Sequence, residues 1–176
     1  MHEHKHLGIY LNTSLCWARQ IHVTCLRANC KLAVLRTVKF LKRSTLDLLY
    51  KVCVRSTIEY GLVIYWHTLK PSEAARIKQI QYRAAKICTG ALHFSSQSKL
   101  EEDLSWETID NRAKFLGLTI FHKVHLGLTR PLVRACKPQI NNNSTRGAGR
   151  YVQSRYFNQK YDNIFFPIIF KILVQT

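Results

Sequence analysis

Apolar residues recur at helical spacing through most of residues 18–126 and lose a clear period after that. Ahead of this region, His6–Leu11 alternates loosely and stops at Asn12-Thr13-Ser14, which predicts one strand, the orphaned half of a hairpin. From Ala18 to Phe40, Ile21, Cys25, Ala28, Leu32 and Leu35 form an apolar stripe at 4-3-4-3 spacing. Val23, Leu26, Cys30 and Val34 form a second stripe on the opposite face. A helix apolar on two faces is expected to be sandwiched. Ser44-Thr45-Leu46-Asp47 reads as a capping box opening a helix to about Trp66, with Leu46, Leu49, Cys53, Tyr60 and Val63 inward. Asp47, Lys51, Arg55 and Glu59 follow at four-residue steps along another of its faces and can pair.

Pro71-Ser72 starts a third helix and Gly90 ends it, with Ile77, Ile80, Ala84 and Ile87 inward. Ser98-Lys99-Leu100-Glu101 is a second capping-box pattern, opening a short helix to about Leu104. A last helix covers Glu107–Leu126, with Ile109, Ala113, Leu116, Ile120 and Val124 inward. The expected fold is therefore mainly α: a bundle of about five helices with one short N-terminal strand and an irregular C-terminal tail. The divisions are 1–17, a helical domain over 18–128, and a basic linker and tail over 129–176. Asn141–Arg150 reads as a flexible basic loop.

Composition adds a partner class. The 176 residues are 47% hydrophobic, enough for a core, and carry 27 Lys and Arg against 10 Asp and Glu, a net charge of +17. Residues 1–43 hold eight basic residues and one acid, and residues 131–176 hold seven and one. The stretch between them, with twelve and eight, is more balanced. Such an excess attracts DNA, RNA or an anionic membrane surface; the plainer alternative is a merely soluble basic surface. The six cysteines (Cys16, Cys25, Cys30, Cys53, Cys88 and Cys136) form no Cys-x-x-Cys pair and lie in apolar stretches. This pattern suggests a reducing compartment, nucleus or cytoplasm, and no disulfide framework. His2, His4, Lys5 and His6 stand where a signal peptide needs an apolar run, and no apolar stretch approaches the ~20 residues of a membrane span.

Chemistry is sparse. Aspartate occurs only at positions 47, 103, 110 and 162, and a two-metal phosphoryl-transfer site needs converging carboxylates. The one acidic cluster, Glu101-Glu102-Asp103, suits the start of a short helix better than a metal. His2, His4 and His6 could share a strand face, and His122 and His125 lie one turn apart, but neither set has the ligand spacing of a zinc site. Phosphate-loop, nucleophile-elbow and dinucleotide fingerprints are missing. Basic residues interleaved with Tyr10, Trp17, Tyr50, Tyr60, Tyr65, Trp66, Tyr82 and Trp106 remain, and they suit stacking and phosphate contact if the rings are not core.

The order of segments carries a resemblance. His6-Leu7-Gly8-Ile9-Tyr10-Leu11 precedes Leu15-x-Trp17, Ile21-His22 and Leu32-x-x-Leu35-Arg36. Then come Leu49-Tyr50-Lys51, Val54-Arg55-Ser56-x-Ile58-Glu59-Tyr60-Gly61, Ile77-x-x-Ile80-Gln81-x-Arg83-Ala84 and Leu104-x-Trp106-x-x-Ile109-x-x-Arg112. Over residues 6–128 this resembles the C-terminal part of reverse transcriptases of non-LTR, LINE-type (jockey-like) retrotransposons, from the last palm hairpin through the thumb and post-thumb helices. Tyr156-Phe157 to Asn163-Ile164-Phe165-Phe166-Pro167 is similar to the family's C-terminal block, although Ile168–Thr176 departs from its usual ending.

The resemblance implies RNA-directed DNA synthesis for the parent family. This chain has no Asp-Asp pair, so only the thumb's role carries over: holding RNA or an RNA–DNA hybrid by its backbone. No cofactor is expected in the chain itself, since the family's Mg²⁺ belongs to an upstream palm, which is also an expected partner. The nucleic-acid-binding candidates are Arg27, Lys31, Lys39, Lys42, Arg43, Arg76, Lys78, Arg83 and Lys86, and no catalytic or metal residue is expected. The rival readings are a non-functional transposon-derived remnant and a generic basic protein that binds nucleic acid or a membrane surface.

Overall fold

A computed structural model describes residues 3–12, 14, 16–92 and 94–128, with two short strands at 139–140 and 151–152. It is mainly helical. The chain divides into two compact units, Met1–Asn111 and Arg112–Thr176.

The first unit opens with a complete antiparallel hairpin, β1 (Glu3–His6) and β2 (Ile9–Asn12), in register His6↔Ile9. The single strand expected over His6–Leu11 is thus corrected. Its middle is a two-residue turn, with Leu7 at φ 46° and Gly8 at φ 84°. Positive φ at both positions gives the tight turn that matches strand twist. Leu at the first of them carries no turn signal, so the alternation reads straight through it.

α1 (Ala18–Thr37) buries Ile21, Cys25, Ala28, Leu32 and Leu35, the first stripe, and packs on the third helix and on the helix that follows it in the chain. Among the described residues the second stripe is not sandwiched: Leu26 is 57% exposed, Val34 64%, and Cys30 is also exposed.

The second helix begins as α2 (Arg43–Leu49), widens into a π-helical segment (Tyr50–Arg55) and ends as α3 (Ser56–Glu59). Its buried row is Leu46, Tyr50, Val54 and Ile58, not the expected Leu49, Cys53 and Tyr60. In an α-helix a row at strict four-residue steps drifts around the axis, but the wider π turn keeps it on one side. The ion pairs expected along this helix form: Lys51 Nζ to Asp47 Oδ2 at 2.8 Å and Arg55 Nε to Glu59 Oε1 at 3.6 Å. The helix does not continue to Trp66. Gly61 takes a left-handed conformation (φ 70°), so the break needs glycine, and a Cβ there would lie 2.7 Å from the Ile9 side chain and push it aside. A single turn, α4 (Leu62–Tyr65), and a 3₁₀ turn (Trp66–Thr68) follow.

α5 (Pro71–Thr89) matches its expected limits, with Gly90 left-handed at its C-terminal end and the Lys70 amide donating to Glu73 at 3.1 Å. α6 (Gln97–Asp103) is the expected short helix. Neither Ser44 nor Ser98 caps a helix as anticipated; Lys42 and Ser96 occupy those places without side-chain caps. Their acidic partners make tertiary hydrogen bonds instead. Asp47 accepts the Trp106 indole N–H at 2.6 Å, and buried Glu101 accepts from Gln81 at 2.9 Å and Gln97 at 2.8 Å. Gln81 also accepts from the Tyr50 hydroxyl (3.1 Å) and donates to the Glu107 carbonyl (3.0 Å), while the Tyr50 ring stacks on Trp106 at 3.9 Å. Every polar atom of the Gln81 amide brought into the core is therefore paired, as burial demands.

α7 (Ile109–His125) buries Ile109, Ala113, Phe121 and Val124, whereas the expected Leu116 and Ile120 are half-buried. Gln139–Ile140 and Tyr151–Val152 pair antiparallel. The loop expected at 141–150, the tail block at 156–167, Cys136 and His2 lie outside the described residues. Among the described residues no helix is long and apolar enough to cross a membrane.

Candidate nucleic-acid interface

The nine candidate cations do not form one patch. α1 divides the main clusters, because residues two apart on a helix point to nearly opposite sides. On one side Arg27 and Lys31 line an open cavity of about 420 Å³ with Gly8 from the hairpin turn, Gln20 and Thr24 from α1, and Ser56, Thr57 and Tyr60 from the end of the second helix. Lys31 Nζ donates to Thr57 Oγ1 at 2.6 Å, and the Tyr60 hydroxyl donates to the Leu7 carbonyl, tying the turn to the helix end. On the other side Arg76 and Arg83, two α-turns apart on α5, line a second cavity of about 420 Å³ with Cys25, Asn29, Ala75, Gln79 and Ile80. Among the described residues no carboxylate lines either cavity.

The other candidates are placed differently. Lys39 and Lys42 are exposed between α1 and α2. Arg43 is engaged by Asp103, through the carboxylate at 2.7 Å and the main-chain carbonyl at 2.5 Å. Lys78 pairs with Asp110 at 2.6 Å, and Lys86 lies over the Tyr82 ring at 4.3 Å. Arg43 and Lys78 thus serve tertiary structure first, since their acids occupy the charge that a phosphate would need.

Most of the candidate rings are core. Trp17, Tyr50, Tyr65, Trp66 and Trp106 are buried, and Tyr60 is the exposed ring beside Arg27 and Lys31. Burial pushes the Tyr65 hydroxyl up to about 12, eased by the Thr24 hydroxyl, and raises Tyr50 further. It also raises the Cys25 thiol, partly offset by Arg76 on the wall of the second cavity. These groups stay neutral and inert near neutral pH. The residues missed at the level of sequence are the uncharged ones, Thr24, Ser56, Thr57, Asn29 and Gln79. The exposed Asn29 and Gln79 amides suit sugar–phosphate contact, whereas the Ser56 and Thr57 hydroxyls donate to the Val52 and Cys53 carbonyls and buried Thr24 accepts from Gln20; single polar residues on helices carry no signal until the fold sets them beside arginine.

His4 and His6 share a face of β1, with ring centroids 6.4 Å apart. Among the described residues no group of three His, Cys, Asp or Glu side chains could hold a metal ion. No protein-family model, curated protein or solved structure matches the chain.

Proposed function

We propose that this chain is the helical, template–primer-gripping part of a non-LTR retrotransposon reverse transcriptase, and that it holds RNA or an RNA–DNA hybrid by the sugar–phosphate backbone without polymerising it. The observation that carries the reading is the groove between α1 and α5. Arg76 and Arg83 stand there beside Asn29 and Gln79, with no acid among the described residues of the lining. Guanidinium groups match phosphate oxygens in pairs, and the amides suit sugar hydroxyls and phosphates, so the contacts carry no base preference. The cavity holding Arg27 and Lys31 supplies a second cationic contact on the far side of α1. Synthesis is left to carboxylates this chain does not contain, since its sequence has no Asp-Asp pair.

The test is fluorescence anisotropy with a labelled RNA–DNA hybrid across a salt series. A steep linear fall of log affinity with log salt is expected. Arg76→Ala with Arg83→Ala should weaken binding about tenfold or more at low salt and lower the slope by about 2, roughly one unit per lost phosphate contact. A flat salt plot, or a double variant that binds as well as the parent, overturns the reading. The outward apolar stripe of α1 favours the remnant reading instead. That reading requires an aggregating chain with no cooperative melt, which sedimentation and calorimetry distinguish.

A further inference from the structure

On an ideal helical wheel Val23, Leu26, Cys30 and Val34 fall within an arc of about 80° on the outward side of α1, along roughly 16 Å of helix. Leu26, Cys30 and Val34 are exposed there and Val23 is half-buried. The stripe has polar edges of one sign. Arg27 and Lys31 border it on one side, and His22 and Asn29 on the other; α1 contains no Asp or Glu at all. Spacings of three and four residues are those of a helix–helix seam, and the charges flanking such a seam choose the partner.

Those flanks discriminate among occupants. A second copy of α1 would set Arg27 and Lys31 against their own like, which repels. A lipid surface requires a broad, strongly apolar face, and this stripe is narrow and contains a cysteine. A helix with its own apolar seam and an acidic edge satisfies both the stripe and the cations.

We propose that the outer face of α1 is a docking site for an amphipathic helix of a partner protein, whose apolar seam covers Leu26, Cys30 and Val34 and whose Asp and Glu flank meets Arg27 and Lys31. This goes beyond the nucleic-acid reading and does not depend on it. The two share Arg27 and Lys31, so an acidic helix seated here competes for the cavity those residues line.

The test uses the full chain and two labelled synthetic peptides with the same leucine seam, one flanked by Glu and the other by Lys. The Glu-flanked peptide is expected to bind at least about tenfold more tightly, and Leu26→Ser with Val34→Ser to weaken it at least about tenfold. These outward positions leave the melting curve intact. The same variant should keep its affinity for the RNA–DNA hybrid within about twofold, while Arg76→Ala with Arg83→Ala should keep peptide binding, so the two proposals fail separately. Equal binding of both peptides overturns the proposal, as does a Leu26→Ser, Val34→Ser variant that binds like the parent. A dimer of the full chain that this variant dissolves assigns the face to a second copy. Binding to phosphatidylserine vesicles that it abolishes, without peptide binding, assigns the face to lipid. Either result overturns it too.

Discussion

α1 carries two apolar stripes of similar spacing and similar residues, and they meet opposite environments. Ile21, Cys25, Ala28, Leu32 and Leu35 are enclosed, chiefly by α5 and the π-helical segment, whereas Leu26, Cys30 and Val34 face outward. The difference lies in the neighbours. The enclosed stripe meets Tyr50, Val54 and Ile58 across a continuous core, and the polar atoms drawn in with it are paired. The outward stripe is bordered by Arg27 and Lys31, whose charged ends require water or an anion. Periodicity therefore locates a surface that can be buried, and what lies over it decides whether it is.

Stability should separate the two stripes most clearly. Leu32→Ala is expected to cost about 2–5 kcal/mol by chemical denaturation, because it leaves a cavity in a fully packed site. Leu26→Ala should stay within about 0.5 kcal/mol of the parent. Equal costs would mean that the outward face is covered after all. A smaller effect tests the polar part of the core. Gln81→Leu strands the Tyr50 hydroxyl and removes a donor from the buried Glu101 carboxylate, an expected loss of about 1–3 kcal/mol by the same measurement. An exposed pair offers the contrast: Lys78→Ala, which removes the bridge to Asp110, should cost no more than about 1 kcal/mol.

Titration sharpens the comparison further. Burial raises Cys88 from an ordinary value of 9.0 to about 12, with Asp47 adding to the rise, and it also raises Cys25 and Tyr65. Each group is neutral when protonated and loses its proton more readily in the unfolded chain. Their contribution is therefore complete below about pH 9 and is lost as pH climbs toward 12. Denaturation midpoints should be flat near neutrality and fall steadily above pH 9. At pH 8 an alkylating reagent should label the outward Cys30 much faster than Cys25 on the enclosed stripe, read by mass spectrometry of peptides. Similar labelling rates would erase the distinction between the stripes.

Much of this architecture is written locally. Pro71 and Gly90 bracket α5 because a missing N–H suits the first helical turn and a left-handed residue suits the end. The Asp47–Lys51 and Arg55–Glu59 pairs follow from four-residue spacing alone. Other features were not legible. The β1–β2 turn hides behind a leucine with positive φ, and the second helix's buried row shifts with its π segment, which begins at Tyr50, whose ring stacks on Trp106 from far along the chain. Asp47 and Glu101 fit capping boxes by pattern, yet each is engaged by a residue from another part of the fold, Trp106 and Gln81.

By itself the sequence determined a helical chain, an excess of cations and the absence of paired aspartates, because periodicity, charge and composition are properties of neighbours along the chain. Only the tertiary structure decided which cations are available. Arg43 and Lys78 are taken by Asp103 and Asp110, while Arg76 and Arg83 line a groove with Asn29, and Arg27 and Lys31 a cavity with Thr57. A charge is counted from its residue type, but its partner is set by which distant acid the fold brings within reach.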